Sequence, residues 1–396
     1  MKTDALAATG AAPEGWERRE VPIALPALGE EEWQAMRGPV LSGWVTQGPR
    51  VAEFERAFAA LHGVEHAVAT TSCTTALAVL LAALGVGPGD EVVVPAFTWV
   101  ATANVVLHTG ATPVLCDVDP ATFNIDPARL AACVGPRTRA VMPVHLFGLA
   151  ADMDALGRAA PGLPMLCDAA CAAGTGLGGP APAGSLGLAA AFSFHPRKVV
   201  TTGEGGMVTT NDAALAERVR MLVNHGAQVS EEQRHLGPRP YLLPAFTAPG
   251  FNYRMTDMQG AMGVVQAGRL PGLVAGRLAL ARAYGEALAD LDWLALPPLV
   301  PGHGWQSFVC RVLEDRAPVP RDTLMERLQA LGVSTRPGTH AVHVLDCYRE
   351  RFGFAPEDFP GALECHRTSM AIPLHNRMTM QDLDYVVACL RAAGRG

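Results

Sequence analysis

The sequence predicts an α/β protein with a large domain, built on a mostly parallel sheet flanked by helices, and a smaller C-terminal α+β domain. Short and continuously apolar runs recur between residues 91 and 210, and helical patterns lie between most of them. Such runs are typical of strands buried on both faces, as in a parallel sheet covered by helices. The chain has 396 residues, of which 49% are hydrophobic, and this suffices for about two domains.

Apolar runs predict the strands, and helical periodicity predicts the helices between them. The strands are expected at 91–96, 112–119, 139–148, 163–170, 189–194 and 205–210, and the helices at 74–86, 128–134 and 213–226. From about residue 256 a long helical stretch follows, and a Pro-rich break at 297–304 precedes a shorter mixed segment. We therefore expect a flexible N-terminal tail at 1–20, a large domain at 21–265 and a small domain at 266–396.

Charge and composition exclude several classes of protein. The net charge is -7 and there is no basic run, which argues against a nucleic-acid or anionic-membrane partner. The longest apolar segments are shorter than the roughly 18 residues that a membrane span needs. The N-terminal stretch is broken by Gly10 and Pro13 and does not resemble a secretory signal. Nine cysteines without a CxxC pair indicate reduced thiols and a cytoplasmic protein.

Lysine is almost absent from this chain. Of 31 Lys and Arg residues only two are lysine, Lys2 near the N-terminus and Lys198 in the stretch SFHPRKVVTTGEGG. A guanidinium is a poor nucleophile, whereas a desolvated amine can form a Schiff base. Lys198 is therefore either a leftover surface charge in an arginine-biased chain or an amine that the chemistry requires.

Several stretches of the sequence could bind a phosphate group, and their surroundings decide between them. The run GTGLGG at 174–179 matches a dinucleotide pattern, but Pro180 and Pro182 stand where the phosphate-binding helix should begin. A Walker loop is excluded because no glycine precedes Lys198. A better anion site is TSCTTAL at 71–77, whose hydroxyl residues open an apolar helix. Ordinary N-capping explains the same residues without a ligand.

Two further residues complete a recognisable pocket. Asp168 ends the strand at 163–170, at the edge of the sheet where such folds keep their sites. Trp99 follows another strand end and offers a flat stacking face, although alone it would be assigned to core packing. A lone lysine, a carboxylate, an aromatic plate and a phosphate-binding helix start together match pyridoxal 5'-phosphate.

The sequence resembles the DegT/DnrJ/EryC1/StrS family of fold-type I pyridoxal-phosphate enzymes, the sugar aminotransferases, over about residues 21–390. The motifs that carry the resemblance are GWVTQGPRVAEFE, SCTTAL, GDEVVVPAFTW, FNIDP, MPVHLFG, DAACAAG, SFHPRKVVTTGEGG and GFNYRMTDMQGAMG. The resemblance implies Lys198 as the Schiff-base lysine, Asp168 on the pyridine nitrogen and Trp99 on the ring. It implies a phosphate site at Thr74, Thr75 and Ser193, completed by Asn252 of the neighbouring subunit, and hence a homodimer with shared sites.

The sequence departs from the usual family pattern at three cysteines. Cys167 replaces the usual glutamate before the aspartate, and Cys73 replaces the small residue after Ser72. Cys171 replaces the His or Gln expected near the phenolic oxygen of the cofactor, where a thiol is a weak donor. Cys73 and Cys171 remain expected cofactor contacts.

The resemblance implies an aminotransferase that moves an amino group from an amino acid, L-glutamate by preference, to a ketone on a nucleotide-activated sugar. A keto-cyclitol acceptor of the scyllo-inosose type, or a dehydrating or aromatising reaction, stays open. The sugar deoxygenases of the family replace the lysine with histidine, so the retained Lys198 argues against them. A regulatory role would need a binding module, and none is evident.

Cationic side chains are the candidate substrate contacts. A nucleotide diphosphate requires cations at the mouth of the pocket, and loop arginines are otherwise solvated charge. The candidates are Arg254, Arg234, His235, His195 and His343. We expect no metal, because His340, His343 and Cys347 lack a fixed third ligand beyond an H-x-x-H pair.

Overall fold

A computed structural model describes residues 12–177, 179, 181–229, 235, 237, 238 and 241–394. Its strands are β1 His66–Thr70, β2 Glu91–Pro95, β3 Phe97–Thr98, β4 Thr112–Cys116, β5 Thr138–Val141, β6 Leu166–Asp168, β7 Ala189–Ser193, β8 Gly206–Thr210, β9 Leu294–Ala295, β10 Phe308–Val312, β11 His340–Ala341 and β12 Ser369–Ile372. Its α-helices are α1 Glu30–Ser42, α2 Pro49–His62, α3 Cys73–Ala83, α4 Ala101–His108, α5 Pro127–Cys133, α6 Met153–Ala159, α7 Ala213–Val223, α8 Asp257–Ala287, α9 Arg321–Ala330, α10 Asp346–Phe352, α11 Pro360–Thr368 and α12 Met380–Ala393.

A mostly parallel sheet forms the centre of the large domain. Its strands follow the orders β1-β8-β7-β6 and β4-β2-β5. Parallel bridges from Val141 to Met165 and from Val144 to Asp168 join the β5 side to the β6 side. β8 runs antiparallel to both of its neighbours, and the remaining pairings are parallel. The predicted fold class and all six predicted strands are confirmed, and β1 is an additional strand.

Helices cover both faces of this sheet, which explains why its strands are continuously apolar. Ala191 and Phe192 are successive residues of β7 and both are completely buried. Because side chains alternate along a strand, Ala191 packs into the core that contains Leu80 of α3. Phe192 faces the opposite core, where its ring lies 5.0 Å from that of Phe58 in α2. The predicted helices at 74–86, 128–134 and 213–226 are confirmed as α3, α5 and α7.

The C-terminal part has its own core and its own sheet. β9, β10 and β12 form an antiparallel sheet, which agrees with the predicted α+β class. Tyr284, Trp305 and Phe308 are buried in its core. The expected boundary near residue 265 falls inside α8, a single helix of 31 residues.

The described part of the expected N-terminal tail packs against this C-terminal part. The ring of Trp16 lies 5.6 Å from that of Tyr385, and Arg19 pairs with Asp382 at 2.7 Å. Val21 is buried in the same core. Residues 1–11 lie outside the described residues. Contacts of this kind hold residues 16–21 on the domain surface rather than leaving them loose.

Two loops, one from each domain, cross close to α8 and are joined by a hydrogen bond. The backbone N–H of Gly304 donates to the Gly148 carbonyl at 2.8 Å. Gly148 has a φ of +98°, in the region that favours glycine, and a Cβ atom there would lie 2.8 Å from the Trp305 nitrogen. Neither backbone can move aside without breaking the crossing. The sequence therefore requires glycine at position 148.

We predict that Gly148→Ala lowers the free energy of unfolding by about 2–4 kcal/mol, because it adds backbone strain and a clash with backbone atoms. Gly157→Ala is the matched control, since a Cβ at this helical glycine has nothing within 4 Å. That control should raise stability by about 0.5–1 kcal/mol. Thermal unfolding of the two variants checks the prediction, and equal midpoints would contradict it.

Candidate active site

Lys198 lies in the turn that follows β7. Its backbone N–H donates to the carbonyl of His195 at 2.8 Å, and its Nζ atom lies 3.2 Å from the Cys171 sulfur. Burial lowers the pKa of Lys198, but the adjacent Cys171 and Asp168 raise it by more, so that the net direction is upward. The amine therefore lies inside the protein as an ammonium group with a thiol and a carboxylate for neighbours.

Asp168 stands at the carboxyl end of β6 and is only 5% exposed. The hydroxyl of Thr102 donates to its Oδ2 atom at 2.8 Å, and the backbone N–H of Ala170 donates to Oδ1 at 3.0 Å. The Cys73 thiol lies 3.8 Å from the same Oδ1 atom. Three chain segments that are far apart in sequence thus meet at one carboxylate.

The environment of Asp168 opposes its ionisation. Burial raises the pKa of Asp168 above its ordinary value of 3.8, and the hydrogen bonds from Thr102 and Ala170 only partly offset this. A cation placed against the carboxylate would supply the missing stabilisation. Sequence reasoning missed Thr102, whose only signal is a hydroxyl in the first turn of α4, directly after the strand end that carries Trp99.

The start of α3 is capped by its own residues. The Ser72 hydroxyl accepts from the Thr75 backbone N–H at 3.1 Å, and the Thr75 hydroxyl accepts from the Ser72 backbone N–H at 3.0 Å. This reciprocal capping box confirms the structural role of these residues. Thr74 is exposed at the same helix start. The Thr75 N–H is occupied by this cap, whereas the N–H groups of Cys73 and Thr74 have no carbonyl partner within the helix, and they and the Thr74 hydroxyl are suited to an anion.

Trp99 is 56% exposed, so core packing does not explain it. Its ring lies 5.5 Å from that of His340. The pairing of β3 with β11 sets this contact, because His340 lies opposite Thr98 in the register. Thr98 in turn hydrogen-bonds to Thr102, the donor to Asp168, at 3.0 Å. Trp99 thus adjoins Thr98, which is two hydrogen bonds away from the carboxylate, and a strand from each part of the chain holds this segment.

The other expected cofactor and substrate residues are partly buried or exposed. Ser193 is the last residue of β7 and is partly buried. The Nδ1 atom of His195 accepts from the Arg197 backbone N–H at 3.2 Å, and burial lowers the pKa of this histidine. Asn252 is exposed, and Arg254 donates to the Asn224 side chain at 2.9 Å.

One expected substrate contact, His343, is enclosed in the core. His343 is completely buried, with its Nε2 atom 2.9 Å from the Pro356 carbonyl oxygen and its ring 4.9 Å from that of Phe359. A side chain in that position belongs to the core, and we do not carry it forward as a substrate contact. His235 is exposed and packs against Trp44. Arg234 lies outside the described residues.

The residues that meet here fit pyridoxal phosphate. Asp168 is a buried carboxylate that a protonated ring nitrogen would complete, Lys198 supplies the amine, and the start of α3 supplies donors for a phosphate. Within the described ranges, no three or more His, Cys, Asp or Glu side chains are arranged to hold a metal ion. None of the helices in those ranges is both long and apolar enough to cross a bilayer.

We predict that Asp168→Asn stabilises the cofactor-free protein at about pH 8 while weakening cofactor binding. The folded-state pKa of Asp168 is raised, so the folded protein binds more protons than the unfolded chain and stability falls as the pH rises above 3.8. The asparagine variant lacks this loss, and its gain should shrink towards about pH 4. Losing a charged hydrogen bond should weaken pyridoxal phosphate about 10- to 100-fold.

Thermal unfolding across the pH range and equilibrium cofactor titration measure these two effects. Asp290→Asn is the control, because Asp290 is an exposed carboxylate paired with Arg391 and its pKa is lowered by that pair. A lower midpoint for the Asp168 variant at every pH would contradict the prediction.

Comparison with known proteins agrees with this geometry. A profile of the DegT/DnrJ/EryC1/StrS aminotransferase family matches residues 26–391. The spore coat polysaccharide biosynthesis protein SpsC of Bacillus subtilis is 39% identical over 381 residues, which cover 95% of this chain and 97% of SpsC.

Solved structures share the fold over nearly the whole chain. DesI, solved in the presence of its TDP-sugar product, is 33% identical with a TM-score of 0.86, and the match covers 98% of this chain and 97% of DesI. Spr1654 of Streptococcus pneumoniae, solved in its PLP form, is 26% identical with a TM-score of 0.87, covering 95% of this chain and 99% of Spr1654. The chain belongs to the DegT/DnrJ/EryC1/StrS family and is a pyridoxal-phosphate-dependent aminotransferase of fold type I.

Proposed function

We propose that this enzyme moves an amino group from L-glutamate to a ketone on a nucleotide-activated sugar, with pyridoxal phosphate held at Lys198. The observation that carries the proposal is that the Lys198 amine, which contacts Cys171, lies near enough to the buried carboxylate of Asp168 for the two charges to interact. When bound, the cofactor withdraws electrons from the carbon that carries the amino group. Trp99 would face its ring, and Thr74, Thr75 and Ser193 would surround its phosphate.

Three side chains of this protein would hold or move protons during the reaction. Asp168 holds a proton on the ring nitrogen, because a buried carboxylate is most stable beside a cation. Lys198 holds and moves the proton between the substrate carbon and the cofactor, and its Nζ atom must first lose the proton that its neighbours favour. Cys171 lies 3.2 Å from that atom and can accept a hydrogen bond from the ammonium group.

The choice of acceptor rests on charge and on the relatives. SpsC is named for polysaccharide biosynthesis, and DesI was solved with a TDP-sugar product. Arg254, close to the exposed Asn252, offers a cation for a diphosphate, and the exposed ring of His235 offers a hydrogen-bond donor. A keto-cyclitol needs only hydroxyl partners and remains the second candidate, with dehydration or aromatisation after it. The free thiols of all nine cysteines support a cytoplasmic enzyme.

Exposed apolar side chains support a homodimer as the active unit. Soluble monomers rarely leave many large apolar groups in contact with water, and such groups mark interfaces. Two segments carry most of the exposed groups, and these are Trp33, Val40, Leu41, Val45, Tyr241, Leu242, Leu243 and Phe246. The second segment leads into the strand-like turn that exposes Asn252.

We predict that the protein loaded with pyridoxamine phosphate regains the aldehyde absorbance when it is mixed with a nucleotide-linked 4-keto or 3-keto sugar. Lys198→Arg should abolish this, because a guanidinium cannot form the imine. Lys2→Arg changes the other lysine of the sequence and should leave it intact. A response only to a keto-cyclitol such as scyllo-inosose, or loss of water from an aminodehydroquinate-type ring without amine transfer, rejects the nucleotide-sugar proposal.

We predict that Asn252 serves the pocket of the partner subunit. Asn252→Ala alone should lower activity about 10-fold or more, through one lost hydrogen bond to a charged phosphate. Mixed dimers that pair this variant with Lys198→Arg should recover about half of the wild-type turnover, because one of the two shared sites is complete. Two different affinity tags isolate the mixed dimer. Turnover no higher than that of Asn252→Ala would show that Asn252 acts within its own subunit.

A further inference from the structure

One side chain from the C-terminal part holds both peptide groups beside Lys198. The Oε1 atom of Gln306 accepts from the Val199 backbone N–H at 3.0 Å, and its Nε2 atom donates to the Arg197 carbonyl at 2.7 Å. These two groups belong to the peptide bonds that precede and follow Lys198. We propose that Gln306 is a positioning residue that fixes the backbone of the cofactor lysine. This inference rests on the proposed role of Lys198.

The carboxamide suits this position for a geometric reason. It is planar, and it presents one acceptor and one donor at a fixed spacing, as the edge of a strand does. Lys198 itself lies in a turn beyond the end of β7, where no neighbouring strand pairs with it. In a flexible turn the position of the Lys198 Nζ atom would vary. A displacement of about 1 Å at a reacting group can lower the rate about a hundredfold. Holding both flanking peptides removes that freedom.

Gln306 is itself held in place by a strained and buried backbone. Trp305 precedes it, is completely buried and has a φ of +47°, which a side chain of this size rarely adopts. The guanidinium of Arg277 donates to the carbonyls of Trp305 and Gln306 at 3.2 and 3.0 Å. The ring of His303 stacks on Trp305 at 3.8 Å. Strain of this kind persists only where the surroundings enforce it, and it clusters at functional sites.

Arg277 restrains the backbone of Trp305 and Gln306, because its buried guanidinium group donates hydrogen bonds to several acceptors at once. It also donates to the Leu374 carbonyl at 3.1 Å and to the Asn376 side chain at 2.8 Å. Burial lowers the pKa of Arg277 to about 10, which leaves it charged at neutral pH. The connection therefore runs from α8 through the backbone of residues 305 and 306 to the carboxamide and then to the lysine turn.

A packing role is the alternative, and Gln266 provides the comparison. Gln266 is also a buried glutamine, 1% exposed against 7% for Gln306, and its Oε1 atom accepts from the Thr201 backbone N–H at 3.1 Å. Its Nε2 atom donates away from the turn, to the Ala27 carbonyl at 3.1 Å and to Glu32 Oε1 at 2.7 Å. Gln266 thus resembles Gln306 in type, in burial and in accepting from a backbone N–H, but it holds the chain three residues beyond the lysine.

The test compares Gln306→Leu with Gln266→Leu, because each removes the side chain that accepts from a buried backbone N–H near Lys198. Gln266→Leu also takes a hydrogen bond from Glu32, so both variants should lower the melting temperature, and the Gln266 variant by at least as much. Lysine labelled at Cε with carbon-13 reports on Lys198 directly, since the sequence has only two lysines. In the cofactor-free Gln306 variant the Lys198 signal should move towards that of Lys2, and in the Gln266 variant it should stay in place.

The loaded enzymes should separate in the same way. For Gln306→Leu, kcat should fall about a hundredfold with KM changed less than about threefold, because positioning of the reacting amine is lost and binding of the substrate is not. Gln306→Glu serves if the leucine variant does not fold. The carboxyl group of this variant can still accept from the Val199 N–H. It can donate to the Arg197 carbonyl only when it is protonated. Its kcat relative to wild type should therefore rise as the pH falls.

Different failures identify which proposal is wrong. If borohydride reduction of the loaded wild type does not attach the cofactor to Lys198, the proposed function fails. If Lys198 is labelled but the two leucine variants share the same kcat and the same Lys198 signal, Gln306 is a packing residue and the inference is overturned. A pH-independent ratio for Gln306→Glu has the same meaning.

Discussion

A carboxylate buried at the end of a central strand is the constraint on which the rest of this site depends. Taking the charge of Asp168 out of water is unfavourable. The hydrogen bonds from the Thr102 hydroxyl and the Ala170 N–H offset only part of this desolvation cost. The fold keeps the group there nonetheless. An under-stabilised buried carboxylate is suited to a cationic ligand, and the protonated ring of pyridoxal phosphate would supply the opposite charge.

Parallel strands explain how distant residues reach that carboxylate. The carboxyl ends of β6 and β7 lie at one edge of the sheet and deliver Asp168 and the Lys198 turn, while the segment between β3 and α4 delivers Trp99. The C-terminal part then reaches across this edge twice. His340 pairs beside Trp99 through β11, and Gln306 holds the lysine turn. The pocket is therefore built by both parts of the chain rather than by the large domain alone.

Sequence reasoning found what local chemistry and periodicity encode. The central strands, the helix start at α3, the single internal lysine and the aspartate at a strand end follow from patterns within a few residues. It did not find the partners that join these pieces, because Thr102 lies 66 residues from Asp168 and Gln306 lies 107 residues from Val199. The spacing of the H-x-x-H pair carried no information on burial, and His343, an expected substrate contact, is enclosed in the core. The long helical stretch from about residue 256 was predicted, and it is one helix that spans the expected boundary near residue 265.

That helix limits how the enzyme can change shape. At about 1.5 Å per residue, the 31 residues of α8 form a rod of roughly 46 Å that belongs to both parts of the chain. Hinges occur where backbone dihedrals are free to change, and the interior of a helix offers little of that freedom. Pro271 lies inside this helix and removes one interior backbone donor, so bending of the rod is expected there. Relative movement of the two parts is therefore confined to a position within α8 instead of being spread over a flexible linker.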